Sequence, residues 1–170
     1  MTVMLSETYQ WGRNTDGHQS RSPLSAQSGG PVASGSEGSN FILASATSDW
    51  LSTRDDTRWN GDTKGSHDPC PDSFRVPTEA EWQTEFAAWS TNNAAGAFSS
   101  PLKLTTAGRR HPSLGSLEHL SEGYYWSSTA NSNPGYGAAS ILMFSSSSAS
   151  FNLNFSRTYG MPVRCIYDSN

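Results

Sequence analysis

Charged residues are scarce in this chain, since they make up only 15% of its 170 residues, and the formal net charge is −4. Arg109-Arg110 is the only adjacent basic pair, and a pI near 5.5 leaves no basic surface of the kind that binds nucleic acid. Long apolar runs are also lacking, because none approaches the roughly 20 residues that cross a bilayer. We therefore expect no nucleic-acid partner and no membrane insertion.

Cysteine is almost absent, with only Cys70 and Cys165 in the whole chain. Their wide separation does not match a zinc knuckle or a Cys-x-x-Cys redox pair. A disulfide between them would close a loop of about a hundred residues, which the chain-entropy model values at about 4 to 5 kcal/mol. Two buried free thiols are the main alternative, and a catalytic thiol is the least expected one.

The residues that usually carry catalysis or metal binding are dispersed. The four histidines form no pair at metal-ligand spacing, and neither a Gly-x-Ser-x-Gly elbow nor a Gly-rich phosphate loop is present. Four acidic residues could supply oxygen ligands to a cation, although capping of turns is their more usual role: Asp55, Asp56, Asp62 and Asp68. We expect no metal, no cofactor and no catalytic residue.

What the chain has in quantity is Ser, Asn, Gly and aromatic residues, and one helix is clearly predicted among them. Thr78 and Glu81 have the spacing of a capping box, and aromatic residues follow at helical intervals from Trp82 to Trp89. The pattern predicts a helix from Thr78 to about Ser90 whose aromatic stripe faces the core. A second, weaker helix is predicted within Ala44–Leu51.

Short strands fill most of the remaining predicted structure. They are predicted at Thr8–Gly12, Leu102–Thr106, Tyr124–Ser127, Ala139–Phe144, Phe151–Arg157 and Pro162–Tyr167, with Ser145–Ser148 as a hairpin connection. In Phe151–Ser156 apolar and polar residues alternate, so Phe151, Leu153 and Phe155 should share one face and Asn152, Asn154 and Ser156 the other. The expected fold is a single α+β domain over 1–170, with one main helix, short antiparallel strands and a large loop fraction.

Several segments together resemble a known family. The Fibrobacter succinogenes major paralogous domain has the block Cys-Pro-x-Gly-aromatic-Arg-(Val/Leu)-Pro-Thr-x-x-Glu-Trp, which is similar to Cys70–Thr78 followed by Glu81-Trp82. Its other blocks resemble Tyr9–Arg13, Tyr124–Ser128 and Val163–Cys165, in the same order. One departure is Ser73, which stands where the block usually has Gly, so a turn that requires positive φ would be strained there.

This resemblance implies a C-type lectin-like fold, which includes formylglycine-generating-type domains and the variable proteins of diversity-generating retroelements. In the variable proteins the C-terminal segment is rewritten at adenine-containing codons, which yields a binding face rich in Asn, Ser, Tyr and Gly. Residues 124–166 resemble such a segment. The implied ligand-binding residues are Asn131, Asn133, Tyr136, Ser140, Ser146, Ser148, Ser150, Asn152, Asn154 and Tyr159, and the implied structural residues are Cys70, Cys165, Trp82 and Trp126.

The function implied by the resemblance is ligand or receptor binding, in the manner of an adhesin or a phage receptor-binding protein. The expected location is extracellular, on a cell surface or a virion, and the expected partner is a protein or glycan on a cell surface. Two alternatives are a calcium-independent glycan-binding domain and a structural domain that forms a homo-oligomer or decorates a larger particle. A formylglycine-generating-type enzyme is less expected, because it would need a reactive cysteine pair near the C-terminal end, where only Cys165 lies.

Overall fold

The computed structural model describes residues 7–59, 61–133 and 135–169, which form an α+β fold. Its helices are α1 (Glu79–Ala87) and α2 (Ala94–Ser99). Its strands are β1 (Tyr9–Gln10), β2 (Gln27–Gly29), β3 (Phe41–Leu43), β4 (Phe74–Arg75), β5 (Arg109–Arg110), β6 (Leu117–Glu118), β7 (Gly123–Ala130), β8 (Ala138–Phe144), β9 (Ala149–Ser156), β10 (Gly160–Met161) and β11 (Ile166–Tyr167). Among these residues, no helix combines the length and apolar character needed to cross a membrane.

The strands form four small sheets, and the largest strands belong to the antiparallel sheet β7-β8-β9. A second antiparallel sheet has the order β1-β10-β5-β6, so the strand at Tyr9 pairs with the one at Met161. The pair β11-β4 is antiparallel and the pair β2-β3 is parallel. The first and last parts of the chain are therefore held together by backbone pairing.

Helix α1 begins where the sequence predicts it. Thr78 Oγ1 accepts a hydrogen bond from Glu81 N at 3.2 Å, and the Glu81 carboxylate accepts one from Thr78 N at 2.8 Å, which completes the capping box. Arg75 donates two further bonds of 2.7 and 2.8 Å to the same carboxylate. The helix ends at Ala87, and Trp89 just beyond it remains buried.

The sheet β7-β8-β9 separates two apolar clusters, because successive side chains of a strand point to opposite faces. The helix-side cluster contains Tyr125 and Leu142 of the sheet with Trp82 and Trp89 from the α1 segment. The tryptophan cluster on the other face contains Trp126 and Ile141 with residues from the N-terminal half and from β10. Its buried members are Tyr9, Trp11, Trp59, Cys70, Val76, Tyr124, Trp126, Ala139, Ile141, Met161 and Val163.

Strand β9 does not keep the simple alternation that its sequence predicts. Asn152 pairs with Ile141 and Phe155 pairs with Ala139, so the two residues Leu153 and Asn154 stand opposite the single residue between those partners. This β-bulge adds one residue to the strand and reverses the alternation beyond it.

The bulge places the apolar residues of β9 on different faces. Phe151 packs edge-on against Phe86 in the helix-side cluster at 5.4 Å, whereas Phe155 packs against Tyr159 in the tryptophan cluster at 5.0 Å. Leu153 between them is 48% exposed. The prediction that Phe151, Leu153 and Phe155 share one core face is therefore wrong.

Two other local predictions are also wrong. The segment Ala44–Leu51 is a turn rather than a helix, because Thr47 Oγ1 donates to Ala44 O and Asp49 O, and Asp49 Oδ1 accepts from Leu51 N. These bonds offer the backbone an alternative to a helix. The segment 102–106 is irregular rather than a strand, and Lys103 there has φ 51. The second helix is α2, which begins after the N-cap Asn93.

Candidate ligand-binding surface

A framework of buried indole hydrogen bonds joins the segments that carry the family resemblance. Trp82 Nε1 donates to Trp126 O at 3.1 Å, and Trp126 Nε1 donates to Tyr9 O at 2.8 Å. Trp11 Nε1 donates to Ser127 O at 2.9 Å. Because each indole is at most 1% exposed, its hydrogen bond lies within the core and fixes the distance between two segments. The expectation that Trp82 and Trp126 are structural agrees with this burial.

The two cysteines form a disulfide, with sulfur atoms 2.03 Å apart and a separation of 95 positions in the sequence. Cys70 is buried, and Cys165 packs on the tryptophan cluster. The bond ties the segment before α1 to the C-terminal segment. Of the alternatives that the sequence leaves open, the structure has the disulfide.

The ten predicted ligand-binding residues do not converge on one place. In an antiparallel sheet, the end of β7, the start of β8 and the end of β9 meet at one end, which we call the loop end. The hairpin Ser145–Ser148 lies at the opposite end, about 20 Å away for a seven-residue strand. The loop end has Asn131, Asn133, Tyr136, Asn154 and Tyr159, whereas the hairpin end has Ser146, Ser148 and Ser150.

The two remaining candidates lie between these ends. Ser140 is only 2% exposed, so the expectation that it belongs to the binding surface is wrong. Its position in the middle strand of the sheet, opposite the bulge, covers it on both sides. Asn152 is half-buried, and its Oδ1 accepts a hydrogen bond from Asn154 N at 2.9 Å.

At the loop end, two predicted asparagines shape the loop as well as lining its surface. Asn131 Oδ1 accepts from Asn133 N at 2.6 Å, and its Nδ2 donates to Leu153 O at 3.0 Å and to the Asn154 side chain. Asn133 Oδ1 accepts from Gly135 N at 3.0 Å. These are turn-forming bonds typical of asparagine. The Asn131 amide is thus engaged internally, whereas the Asn133 side chain is exposed and shapes the turn through its oxygen.

Arg54 holds this loop by its main chain. Its guanidinium donates to three carbonyl oxygens of the loop, those of Asn131, Asn133 and Tyr136, the last at 3.2 Å. The Asp56 carboxylate holds the guanidinium in turn by two bonds of 2.7 Å. A planar guanidinium has five donors in a fixed fork, so one side chain can bind several acceptors at once.

The Arg54 clamp is connected to the core through a second arginine. Arg157 Nη2 donates to Asp56 Oδ1 at 2.5 Å, and Arg157 Nη1 donates to Asp49 Oδ2 at 3.3 Å. Its guanidinium lies 3.9 Å from the centre of the Trp11 ring. Burial alone would raise the pKa of Asp56, but the hydrogen bonds from Arg54 and Arg157 outweigh burial and lower that pKa. The carboxylate is therefore ionised at neutral pH.

Beside the loop lies a cleft of about 640 Å³. It is lined by Tyr136 of the loop, by residues 45–48, by residues 111–113, and by three residues that end β9 or follow it, Ser156, Thr158 and Tyr159. Two of the predicted ligand-binding residues, Tyr136 and Tyr159, thus face a common space. The lining has many hydroxyl groups.

The acidic residues considered as cation ligands have other roles. Asp55 Oδ1 accepts from Thr57 N at 2.9 Å, and Asp68 accepts from Cys70 N and Val76 N at 2.8 and 2.9 Å. Among residues 7–59, 61–133 and 135–169, no three His, Cys, Asp or Glu side chains are grouped so that they could hold a metal ion.

Sequence reasoning missed Arg54 and most of the cleft. Arg54 is 77 residues from Asn131 along the chain, and no local pattern relates the two segments. Comparison with protein-family models, curated proteins and solved structures found no match.

Proposed function

We propose that this chain is a C-type lectin-like domain of the Fibrobacter succinogenes major paralogous type that binds a ligand or receptor on a cell surface. In this proposal the loop end is the diversifiable binding surface, as in the variable proteins of diversity-generating retroelements. The framework of Trp11, Trp82 and Trp126 supports the proposed fold, because the segments that carry the resemblance bond one another. The domain is a binding module and not an enzyme.

The observation that carries the proposal is the main-chain hold on the loop 131–136. Arg54 bonds carbonyl oxygens that every residue type has, so its hold does not depend on which side chains the loop displays. The exposed side chains of Asn133 and Tyr136 can therefore differ while the Arg54 contacts keep the path of the loop. Tyr and Asn are also residues that antibody loops favour, because they combine contact area with hydrogen bonding.

A second observation supports a location outside the cell. The bond between Cys70 and Cys165 is of the kind that persists in oxidising surroundings, such as the cell exterior or the surface of a virion. An adhesin or a phage receptor-binding protein works in those surroundings, where its ligand is a protein or glycan of the target cell.

The proposal is tested by measuring, with flow cytometry, the binding of the labelled protein to a panel of bacterial strains. The double variant Tyr136→Ala/Asn154→Ala should lose binding at least tenfold. The control Ser146→Ala/Ser148→Ala, at the hairpin end, should bind as the wild type does. Because all four side chains are exposed, both variants should melt within about 4 °C of the wild type.

Three results would count against the proposal. They are a wild type that binds none of the strains, equal binding by the two variants, and a large fall in the melting temperature of the loop variant. The last result would mean that Tyr136 and Asn154 stabilise the fold rather than contact a ligand.

A further inference from the structure

We infer that the cleft beside the loop binds a neutral saccharide without a metal ion. This inference rests on the proposed binding function and names the class of ligand for the same end of the molecule. It comes from the charge, the hydrogen-bonding groups, the ring surfaces and the size of the cleft.

The cleft is electrically neutral. Within the described residues, its lining includes no carboxylate, ammonium or guanidinium group. The charged groups nearby are already paired: Asp49 with Arg157, and Arg109, which lies 4.7 Å from the centre of the Tyr159 ring, with Glu118 at 2.7 Å. A charged ligand would lose its hydration in this cleft and gain no opposite charge in return. The lining therefore favours an uncharged ligand.

Hydroxyl groups dominate the lining, and they belong to Ser45, Thr47, Ser48, Ser113, Ser156 and Thr158. Thr47 Oγ1 already donates to Asp49 O at 2.7 Å, and Ser156 Oγ donates to Ser48 O at 3.0 Å, so these two hydroxyls can only accept from a ligand. Ser48 Oγ accepts from Gly137 N at 2.9 Å and keeps its own proton to donate. The hydroxyls of Tyr136 and Tyr159 add two more, and neither has a hydrogen-bond partner within the described part of the chain. A saccharide hydroxyl can donate as well as accept, so it can donate to Thr47 and Ser156 and accept from Ser48 and from the two tyrosines.

His111 contributes a donor of fixed identity. Its Nδ1 accepts hydrogen bonds from Ser113 N and Leu114 N at 3.1 and 3.2 Å. In the neutral ring the proton is therefore on Nε2, which remains available as a donor. The backbone holds this ring in place without any charged partner.

The two tyrosine rings supply the apolar part of the cleft. The Tyr159 ring is fixed by edge contacts with Phe155 at 5.0 Å and with His111 at 6.1 Å. A pyranose ring has apolar C–H faces as well as hydroxyl edges, so a rigid aromatic ring bordered by hydroxyls matches both of its surfaces. A volume of about 640 Å³ is within the range of about 300 to 1,000 Å³ that is typical of small-ligand sites.

The test is a glycan array probed with the full chain in EDTA, followed by calorimetry with a bound glycan. Ser113 and Ser146 are both exposed serines, so Ser113→Trp blocks the cleft and Ser146→Trp makes the same change at the hairpin end. We expect wild type and Ser146→Trp to bind an uncharged glycan with equal affinity, and Ser113→Trp to bind it at least tenfold more weakly. Tyr159→Phe should weaken binding several-fold without a change in melting temperature, because only one hydroxyl is removed.

The inference is overturned if no glycan binds in EDTA, if the glycans that bind are all acidic, or if Ser113→Trp binds as the wild type does. These outcomes are separate from failure of the proposed function. If Tyr136→Ala/Asn154→Ala abolishes binding to cells while Ser113→Trp leaves it intact, the loop contacts a protein receptor and only the saccharide inference falls.

Discussion

Replacement of Arg54 by Gln tests whether the Arg54 side chain holds the loop at residues 131–136 through the main-chain carbonyl oxygens of that loop. The variant removes the contacts to the carbonyl oxygens of Asn131, Asn133 and Tyr136, together with the pairing to Asp56. The Arg54 side chain is 18% exposed and that of Asp56 is 43% exposed, so solvent screens the ion pair and its share is small. Most of the effect comes from the hydrogen bonds to the loop.

The expected magnitude follows from those bonds. The net contribution of one hydrogen bond to protein stability is about 0.5 to 1.5 kcal/mol. The bonds from Arg54 to the loop should lie at the low end of this range, because they are partly exposed to solvent. We therefore expect Arg54→Gln to reduce the free energy that keeps the loop ordered by about 1 to 2 kcal/mol. Since the loop contributes little to either apolar cluster, the free energy of global unfolding should fall by about the same amount or less.

Residue-resolved hydrogen exchange is the direct assay. A loss of about 1 to 2 kcal/mol corresponds to about a 5- to 30-fold faster exchange of the loop amides, those of Asn133, Gly135 and Tyr136. The amides of β8 should keep their protection. Arg21→Gln is the matched control, because Arg21 also donates to a backbone carbonyl, that of Ala107, in a different part of the fold.

Two outcomes would refute the reasoning about Arg54. Unchanged exchange of the loop amides would mean that the loop is held by its own asparagines alone. A loss of several kcal/mol in global stability would mean that Arg54 is part of the cooperative core, and the loop would then not be separable from the framework.

Three further predictions concern stability. Burial lowers the pKa of His18 to about 4 from the ordinary 6.5, so the unfolded chain takes up the proton at a higher pH than the folded chain does. The free energy of unfolding should therefore fall by up to about 3 kcal/mol between pH 6.5 and pH 4. Urea unfolding should show that the variant His18→Gln lacks this pH-dependent loss. Ser73 has φ 63, so Ser73→Gly should raise the unfolding free energy by about 0.5 to 1 kcal/mol, and a loss would contradict strain there. Cys70→Ala/Cys165→Ala should lower the free energy of unfolding by about 4 to 5 kcal/mol, because the disulfide closes a loop of 95 residues in the unfolded chain. A loss under about 1 kcal/mol would show that the unfolded chain without the disulfide gains little conformational entropy.

The parts of the fold that the sequence predicts well are those set by near neighbours. The capping box of Thr78 and Glu81 depends on residues three apart, and the structure has it with both reciprocal bonds. Ser73 has positive φ, and the sequence block that Cys70–Thr78 resembles has Gly at this position, so the resemblance is consistent with this local backbone conformation. The hairpin at Ser145–Ser148 lies where two strands and a run of serines predict it, with Ser145 N donating to Ser148 O at 2.8 Å.

The parts that the sequence does not predict depend on contacts between distant segments. A period-two pattern in β9 says nothing about which residue of β8 each side chain faces, so the bulge at Leu153 and Asn154 is not visible in it. Ser140 is chemically identical to the serines of the hairpin, yet its place in the middle strand buries it. Tyr136 and Tyr159, both predicted to bind a ligand, line one cleft, and their ligand-binding role stays a prediction. The cleft is formed by segments far apart in sequence, so no local pattern indicates it.

The two ends of the sheet differ in what holds their connecting segments, and the proposed function depends on this difference. At the hairpin end, Ser145 Oγ accepts from Ser147 N and Ser148 N at 3.2 and 3.3 Å, so the turn depends on a side chain of its own. At the loop end, Arg54 supplies the hold from a segment outside 131–136. A substitution at Asn133 therefore removes one bond of about 1 kcal/mol, while the Arg54 contacts continue to fix the path of the main chain. The hairpin end also has a bond from outside, because Ala94 N donates to Ser145 O at 2.8 Å, but this is one bond against the three from Arg54 at the loop end. Under the proposed function, the end whose main chain has more bonds from residues outside the rewritten segment should tolerate more substitutions.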